Sequence, residues 1–110
     1  MKKIEAIIRP EKFEMVKDAL SEKGFSGMSV TQIKGHGDQK GVSEVWRGKR
    51  YRVDLLDKTK LEIVVADDAE KEVVEIILDV AKTGSIGDGN IYIHDISTVY
   101  RIRNGEQGEI

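Results

Sequence analysis

Cysteine is absent from the chain, which excludes a disulfide framework and any thiolate metal centre. Histidine is scarce. His36 and His94 are the only two, and they fall in different segments without ligand spacing, which argues against a histidine metal site. Aromatic residues make up 5%, too few for the stacking platform of an RNA-recognition sheet. No apolar run approaches the roughly 20 residues that a membrane helix needs. Met1-Lys2-Lys3 looks like the head of a signal peptide, but Glu5 and Arg9 interrupt the apolar core that one requires. A cytoplasmic protein is therefore expected. The formal net charge is only -2, so nothing in the overall balance draws the chain to nucleic acid, and any anion site must be built locally. No nucleophile has an evident activating base, so the sequence carries no sign of catalysis.

What remains is an ordinary small domain. With 110 residues, 39% hydrophobic and 35% charged, the chain is read as one globular domain over 1–110 with one modest core. Ile4 to Ile8 is β-rich and predicts a first strand. Pro10 suits the first turn of a helix, and Phe13, Val16 and Leu20 follow at helical spacing, with Gly24 as its terminal cap. Met28 to Ile33 alternates and predicts a second strand. Leu61 to Val65 predicts a third. Asp67 and Asp68 suit the cap of a second helix, whose buried stripe is Val73, Ile76, Ile77 and Val80. Thr83 to Gly89 is a glycine-rich turn, and Ile91 to Ile96 predicts the last core strand. Val99 to Arg103 is expected to add a short edge strand, and 104–110 to form a mobile tail.

The chain also echoes itself. The strand from Ile4 and its helix match the strand from Leu61 and its helix, with Val16 opposite Val73 and Leu20 opposite Ile77. Two β-α-β halves in tandem predict an α+β, ferredoxin-like double βαβ sandwich with both helices on one face of the sheet. The other face mixes Ile7 and Val64 with Glu5 and Glu62. A half-apolar face is expected to be covered by other subunits.

Between the second and third strands lies Gly35 to Lys58, a stretch with no apolar period. A loop of roughly 20 residues in a small domain is commonly functional or disordered. It opens on Gly35, Gly37 and Gly41 and closes on Arg47, Lys49, Arg50 and Arg52 around Tyr51. That basic cluster reads either as a solvated loop or as a docking finger for an acidic or carbonyl-lined surface. Trp46 within it favours contact, since tryptophan is enriched at interface hot spots. Gly35-His36-Gly37 and Gly87-Asp88-Gly89 complete neither the dinucleotide fingerprint nor the P-loop. They read either as tight turns or as glycines that turn backbone N–H groups towards an anion. Arg101 and Arg103, on an extended segment, would point the same way and suit a pyrophosphate, unless they simply face water.

Taken together, MKKIEAIIRPEKFEMVKDAL, GMSVTQIKGHGDQKG, WRGKRYRVD and TGSIGDGNIYIHDISTVYRIRNGE cover nearly the whole chain in order and spacing. They resemble the PII nitrogen-regulatory signal-transduction proteins (the GlnB/GlnK family). The resemblance implies a homotrimer with ATP or ADP in the clefts between subunits, 2-oxoglutarate sensing with Mg and ATP, and a long T-loop, here about 37–55, that docks on partners. Residue by residue, it implies phosphate contacts at Gly87, Asp88, Gly89, Arg101 and Arg103, with Gly35, Gly37, Asp38 and Asn90 beside them. It implies adenosine contacts at Gly27, Met28, Ser29, Glu62 and Val64. Gln39 matches the residue that helps hold Mg, and with Lys40, Gly41 and Lys58 it lies near 2-oxoglutarate. Tyr51 matches a tyrosine that some members have nucleotidylated. Arg47 matches an arginine that enters an ammonium transporter, the first candidate partner. Glutamine synthetase or another nitrogen enzyme is the second. The transporter would bring an otherwise cytoplasmic protein to the periphery of the inner membrane.

Two departures bear on ligand choice. The family usually carries arginine where this chain has Asp38, and lysine where it has Asn90. Two unit charges about 4 Å apart at an intermediate dielectric interact by about 4 kcal/mol at most, enough to weaken ATP relative to ADP. At the loop, Trp46 stands where tyrosine is common, and Lys49 has no hydroxyl to phosphorylate. The runner-up to a nitrogen and energy sensor is a PII-like adenylate sensor, ADP- or AMP-preferring, that ignores 2-oxoglutarate. A ferredoxin-like hydrolase of the acylphosphatase kind would need a phosphate loop and an Asn–Arg pair arranged differently.

Overall fold

Alternating burial decides the central strands. In β1 (Lys2–Ile8) Ile4, Ala6 and Ile8 are buried while Lys3, Glu5 and Ile7 are half-exposed, the period of two expected of a strand with one covered face. The computed structural model describes residues 1–36, 43–46, 49–52 and 55–108, with backbone alone over 43–46 and 49–52. After β1 a 3₁₀ turn, Pro10–Lys12, leads into helix α1 (Phe13–Glu22). So Pro10 opens a tighter turn and not the α-helix itself. Gly24 follows at φ +88°, the left-handed conformation that ends helices at low steric cost.

Strand β2 (Met28–Gly35) pairs with β5 (Leu56–Val65) from Met28↔Ile63 to Gly35↔Leu56. Both strands therefore run further towards the loop than expected, because the ladder continues past Ile33 and Lys58. Not all of the intervening stretch is described. Its described parts are two short strands, β3 (Ser43–Trp46) and β4 (Lys49–Arg52), paired Glu44↔Tyr51 and Trp46↔Lys49. After β5, a second 3₁₀ turn, Asp67–Ala69, leads into α2 (Glu70–Ala81). It repeats the turn before α1 at the matching point of the duplication. Neither Asp67 nor Asp68 caps the helix by its side chain. Asp67 instead pairs with the amino group of Met1 at 2.8 Å.

Strand β6 (Asn90–Asp95) completes a four-stranded antiparallel sheet of order β2-β5-β1-β6, the ferredoxin-like order of two βαβ units. The expected edge strand over Val99–Arg103 is cut short. Only Val99–Tyr100 (β7) is extended, and it pairs with β8 (Gln107–Gly108). The turn between them is closed by Gly105 N–H donating to the Arg101 carbonyl and by Arg101 N–H donating to the Glu106 carbonyl, both 2.8 Å. Gly105 sits at φ +70°. Since β7 and β8 pair, residues 104–108 belong to a hairpin and not to a loose tail. Arg101 consequently stands just before a turn and Arg103 within it, and the two do not alternate along one strand.

The core lies between the sheet and the two helices: Ile4, Ala6, Ile8, Leu61, Ile63 and Val65 from the strands, with Val16, Leu20, Val73, Ile77 and Ala81 from the helices. The opposite face carries Ile7, Ile33, Val64 and Tyr92 among charges. Lys3 pairs with Glu62 at 3.1 Å, Lys60 lies 3.7 Å from Glu62 and 3.9 Å from Glu5, and His94 lies 3.8 Å from Glu5. Ile77, 1% exposed, fills the core, whereas Ile86, 68% exposed, does not. Ile77→Ala is expected to cost about 2–5 kcal/mol in urea unfolding, and Ile86→Ala to fall within about 0.5 kcal/mol of zero.

Candidate functional site

The sheet ends in two hollows. The first, a cleft of about 580 Å³, lies where β2 and β5 approach the connection between them. Its walls are Ile7 from β1, Ile33 to Gly35 from β2 with His36 just beyond it, Leu56 and Lys58 from β5, Ser85 to Gly89 from the glycine-rich turn, and Asn90 and Tyr92 from β6. The turn is pinned from behind. Arg9, the first residue beyond β1, donates from Nε to Asp88 Oδ1 at 3.1 Å and from Nη2 to the Ile86 carbonyl at 3.0 Å. Asp88 Oδ1 also accepts the Thr83 hydroxyl, and Oδ2 accepts the amides of Thr83 at 2.8 Å and Gly84 at 2.9 Å. The Thr83 and Gly84 donors, with Arg9 behind them, hold the Asp88 carboxyl far below the usual carboxylate range.

Gly89 is fixed for steric reasons. At φ +98° a Cβ on it would overlap the Ile7 carbonyl oxygen, so only glycine lets the turn lie against β1. Gly87 takes φ +100°. Lys58 Nζ reaches its carbonyl at 2.6 Å. Burial pushes the Lys58 ammonium below the usual lysine range, and the nearby Arg9 adds to the shift. A partly buried ammonium at a cleft wall adds positive charge to the space that it faces. Lys34, at the rim, pairs with Asp57 at 2.5 Å.

The second hollow, about 630 Å³, lies at the other end of β5. It is bounded by Gly24 to Gly27, Ser29, and Glu62 to Ala66, with Lys3 and Ala69. Hydrogen bonding from Lys3 is the main reason that the Glu62 carboxyl titrates below its usual range.

The residues singled out from the sequence thus sort into two groups. Gly35, Lys58, Gly87, Asp88, Gly89 and Asn90 line the cleft. Gly27, Ser29, Glu62 and Val64 line the hollow. Met28 stands next to the hollow but packs against the core. Arg101 and Arg103 sit on the β7–β8 hairpin and contribute to neither lining. The Arg101 guanidinium lies over Gly108, 3.3 Å from where a Cβ would be. Gly37, Asp38, Gln39, Lys40, Gly41 and Arg47 lie outside the described residues, and Tyr51 is described only as a backbone position of β4. Sequence reasoning missed Arg9 and Thr83. Arg9 sits directly before Pro10, but its partner is 79 residues away, and no local pattern announces it. Among the described residues, no group of three or more histidine, cysteine or acidic side chains could hold a metal ion. No helix there is long and apolar enough to cross a membrane.

The fold is a small α+β domain whose ferredoxin-like sheet carries a pinned glycine turn and a partly buried lysine at one end and a hollow at the other. Sequence comparison gives its family. A family profile described as nitrogen regulatory protein P-II matches residues 1–106. Nitrogen regulatory protein P-II 2 of Methanothermobacter thermautotrophicus is 55% identical over 109 residues, covering 99% of this chain and 95% of the relative. Nitrogen regulatory protein P-II 1 of Escherichia coli K12 is 51% identical over 109 residues, covering 99% and 97%. The chain belongs to the nitrogen regulatory protein P-II family, whose members are signal-transduction regulators and not enzymes.

The depressed Asp88 carboxyl sets a pH expectation. A group with a lowered folded pKa contributes stability above the ordinary aspartate value of about 3.9, and the contribution is lost as pH falls through the folded value. In an NMR pH titration the Thr83 and Gly84 amide signals are expected to hold their positions through about pH 4 and to move only in stronger acid. Movement centred on the ordinary aspartate value would show that the carboxylate is not held.

Proposed function

We propose that the protein is a nitrogen and energy sensor of the P-II kind, in which an adenine nucleotide lies between copies of the chain in a homotrimer. The observation that carries this reading is the cleft itself, where a pinned glycine turn and the partly buried Lys58 face the same space. The phosphates fit that end, and the adenosine fits the hollow with Gly27, Ser29, Glu62 and Val64. Within one copy the two ends are far apart. Lys58 and Val64 are six residues apart on β5, about 20 Å at the usual rise, with the ion-paired middle of the sheet between them. One nucleotide therefore bridges the cleft of one copy and the hollow of the next. The apolar part of the open sheet face, Ile7, Ile33, Val64 and Tyr92, is what neighbouring copies would cover. The family resemblance supplies the number three.

In this reading 2-oxoglutarate binds with Mg and ATP at the root of the loop, through Gln39, Lys40, Gly41 and Lys58, with Gln39 helping to hold the metal. Ligand choice sets the posture of the loop, because a ligand shifts that balance only by its differential affinity for the two postures. The loop then meets an ammonium transporter through Arg47, or glutamine synthetase or another nitrogen enzyme, and Tyr51 is its modification site.

The described part of the cleft supports a preference for fewer phosphates. Arg9 is committed to Asp88 and Ile86, Lys34 is paired with Asp57, and Asn90 brings no charge. The same observation favours the second reading, an adenylate sensor without a 2-oxoglutarate response. Titration calorimetry with ATP, ADP and AMP, each with and without Mg and 2-oxoglutarate, separates the two. ADP is expected to bind more tightly than ATP. A 2-oxoglutarate response seen only with Mg and ATP selects the first reading, and no response selects the second. Tight ATP binding with weak ADP binding overturns the proposed preference, and no adenylate binding overturns both readings. Because the Lys58 pKa is lowered, anion affinity is expected to fall with rising pH earlier than for an ordinary lysine. Sedimentation at micromolar concentration is expected to give a trimer, and monomer alone would remove the bridging site.

A further inference from the structure

The family resemblance implies a phosphate-binding position at Asp88. A carboxylate there is electrostatically wrong for an anion, and its geometry resolves the conflict. A carboxylate offers about four acceptor sites. On Asp88 these take Arg9 Nε, the Thr83 hydroxyl, the Thr83 amide and the Gly84 amide. The side chain is used up within its own turn, and Arg9 compensates its charge. The same Arg9 holds the Ile86 carbonyl, and Lys58 holds the Gly87 carbonyl. The negative ends of the turn are thus engaged by the protein. Among the described residues, the amides of Gly87 and Gly89 donate to no other group, and both glycines line the cleft.

The duplication gives an independent comparison. The turn after α1 also carries a glycine at φ +88°, as Gly84 does after α2. Yet the residue matching Arg9 is Ala66, and 23–27 contains no carboxylate. That end of the fold closes without a clasp, so the clasp is not what this architecture needs in order to fold. It is present only where the cleft is.

We infer that Asp88 is a positioning residue and not a ligand contact: with Arg9 and Thr83 it forms a charged clasp that holds the 83–89 turn in the shape that receives phosphate on its backbone amides. This rests on the reading of the cleft as a phosphate site. The test compares adenosine, AMP and ADP binding to wild type, Asp88→Asn, Thr83→Val and Thr83→Ser. Loss of one charge-assisted hydrogen bond corresponds to about tenfold to a hundredfold in affinity. Asp88→Asn and Thr83→Val are expected to lose ADP affinity by about that factor while keeping adenosine affinity, and Thr83→Ser, which keeps the hydroxyl, to stay near wild type. Amide exchange without ligand is expected to quicken over 83–89 in the first two variants only. ADP binding unchanged in Asp88→Asn, or an equal loss for adenosine and ADP, overturns the inference while leaving the cleft reading intact. A wild type that binds no adenylate overturns the cleft reading and the inference with it. The Thr83 pair carries the test if Asp88→Asn does not fold.

Discussion

The pairing of β1 with β5 is the constraint on which everything else depends. It sets Ile4 against Ile63, Glu5 against Glu62 and Ile7 against Lys60. Because side chains alternate, this register puts Ile4, Ala6, Ile8, Leu61, Ile63 and Val65 under the helices in one step. A slip of β5 by one residue would bury Lys60 and Glu62 and expose Leu61, Ile63 and Val65. The cost of burying those charges unpaired fixes the register. The register in turn fixes where the strands end: Arg9 leaves β1 beside the glycine turn, and Lys58 stands near the start of β5 facing the same cleft.

The duplication explains the plan of the molecule, and its imperfections explain the site. Strand, 3₁₀ turn and helix recur in both halves. The two ends of the sheet have nevertheless diverged. One carries Arg9, Asp88 and Lys58 around a turn tight enough that Gly89 meets the Ile7 carbonyl. The other is open, lined by glycine and short side chains beside Glu62 and Val64. A charged, rigid end and a roomy, less polar end suit the two ends of an amphiphilic ligand, as in the proposed nucleotide.

Much of this was legible in the sequence, and the reasons are local. The β-rich runs at 4–8 and 61–65, the helical spacing of Val16 and Leu20, and their echo at Val73 and Ile77 are short-range signals, and each appears in the fold. Gly87 and Gly89 were legible as special backbone positions. The hairpin at 99–108 was missed although Asn104-Gly105 announces it, because charged neighbours made the stretch look like a solvated tail. The clasp was not legible. It joins residues at the ends of two different halves, and neither Arg9 nor Thr83 sits in a motif. Asp88 was legible as a candidate site position, but its bonds within the turn were not, since a sequence does not say which way a carboxylate turns.

Lys58 also has a mechanical meaning. Its stem crosses Gly35, coming within 3.1 Å of where a side chain on that glycine would begin, and its tip rests on the Gly87 carbonyl. Gly35 is the last residue of β2 before the chain departs for the hairpin. One side chain therefore touches both the end of β2, where the chain leaves the sheet, and the glycine-rich turn. The two walls are tied through a single lysine, so a substitution at position 58 disturbs both at once.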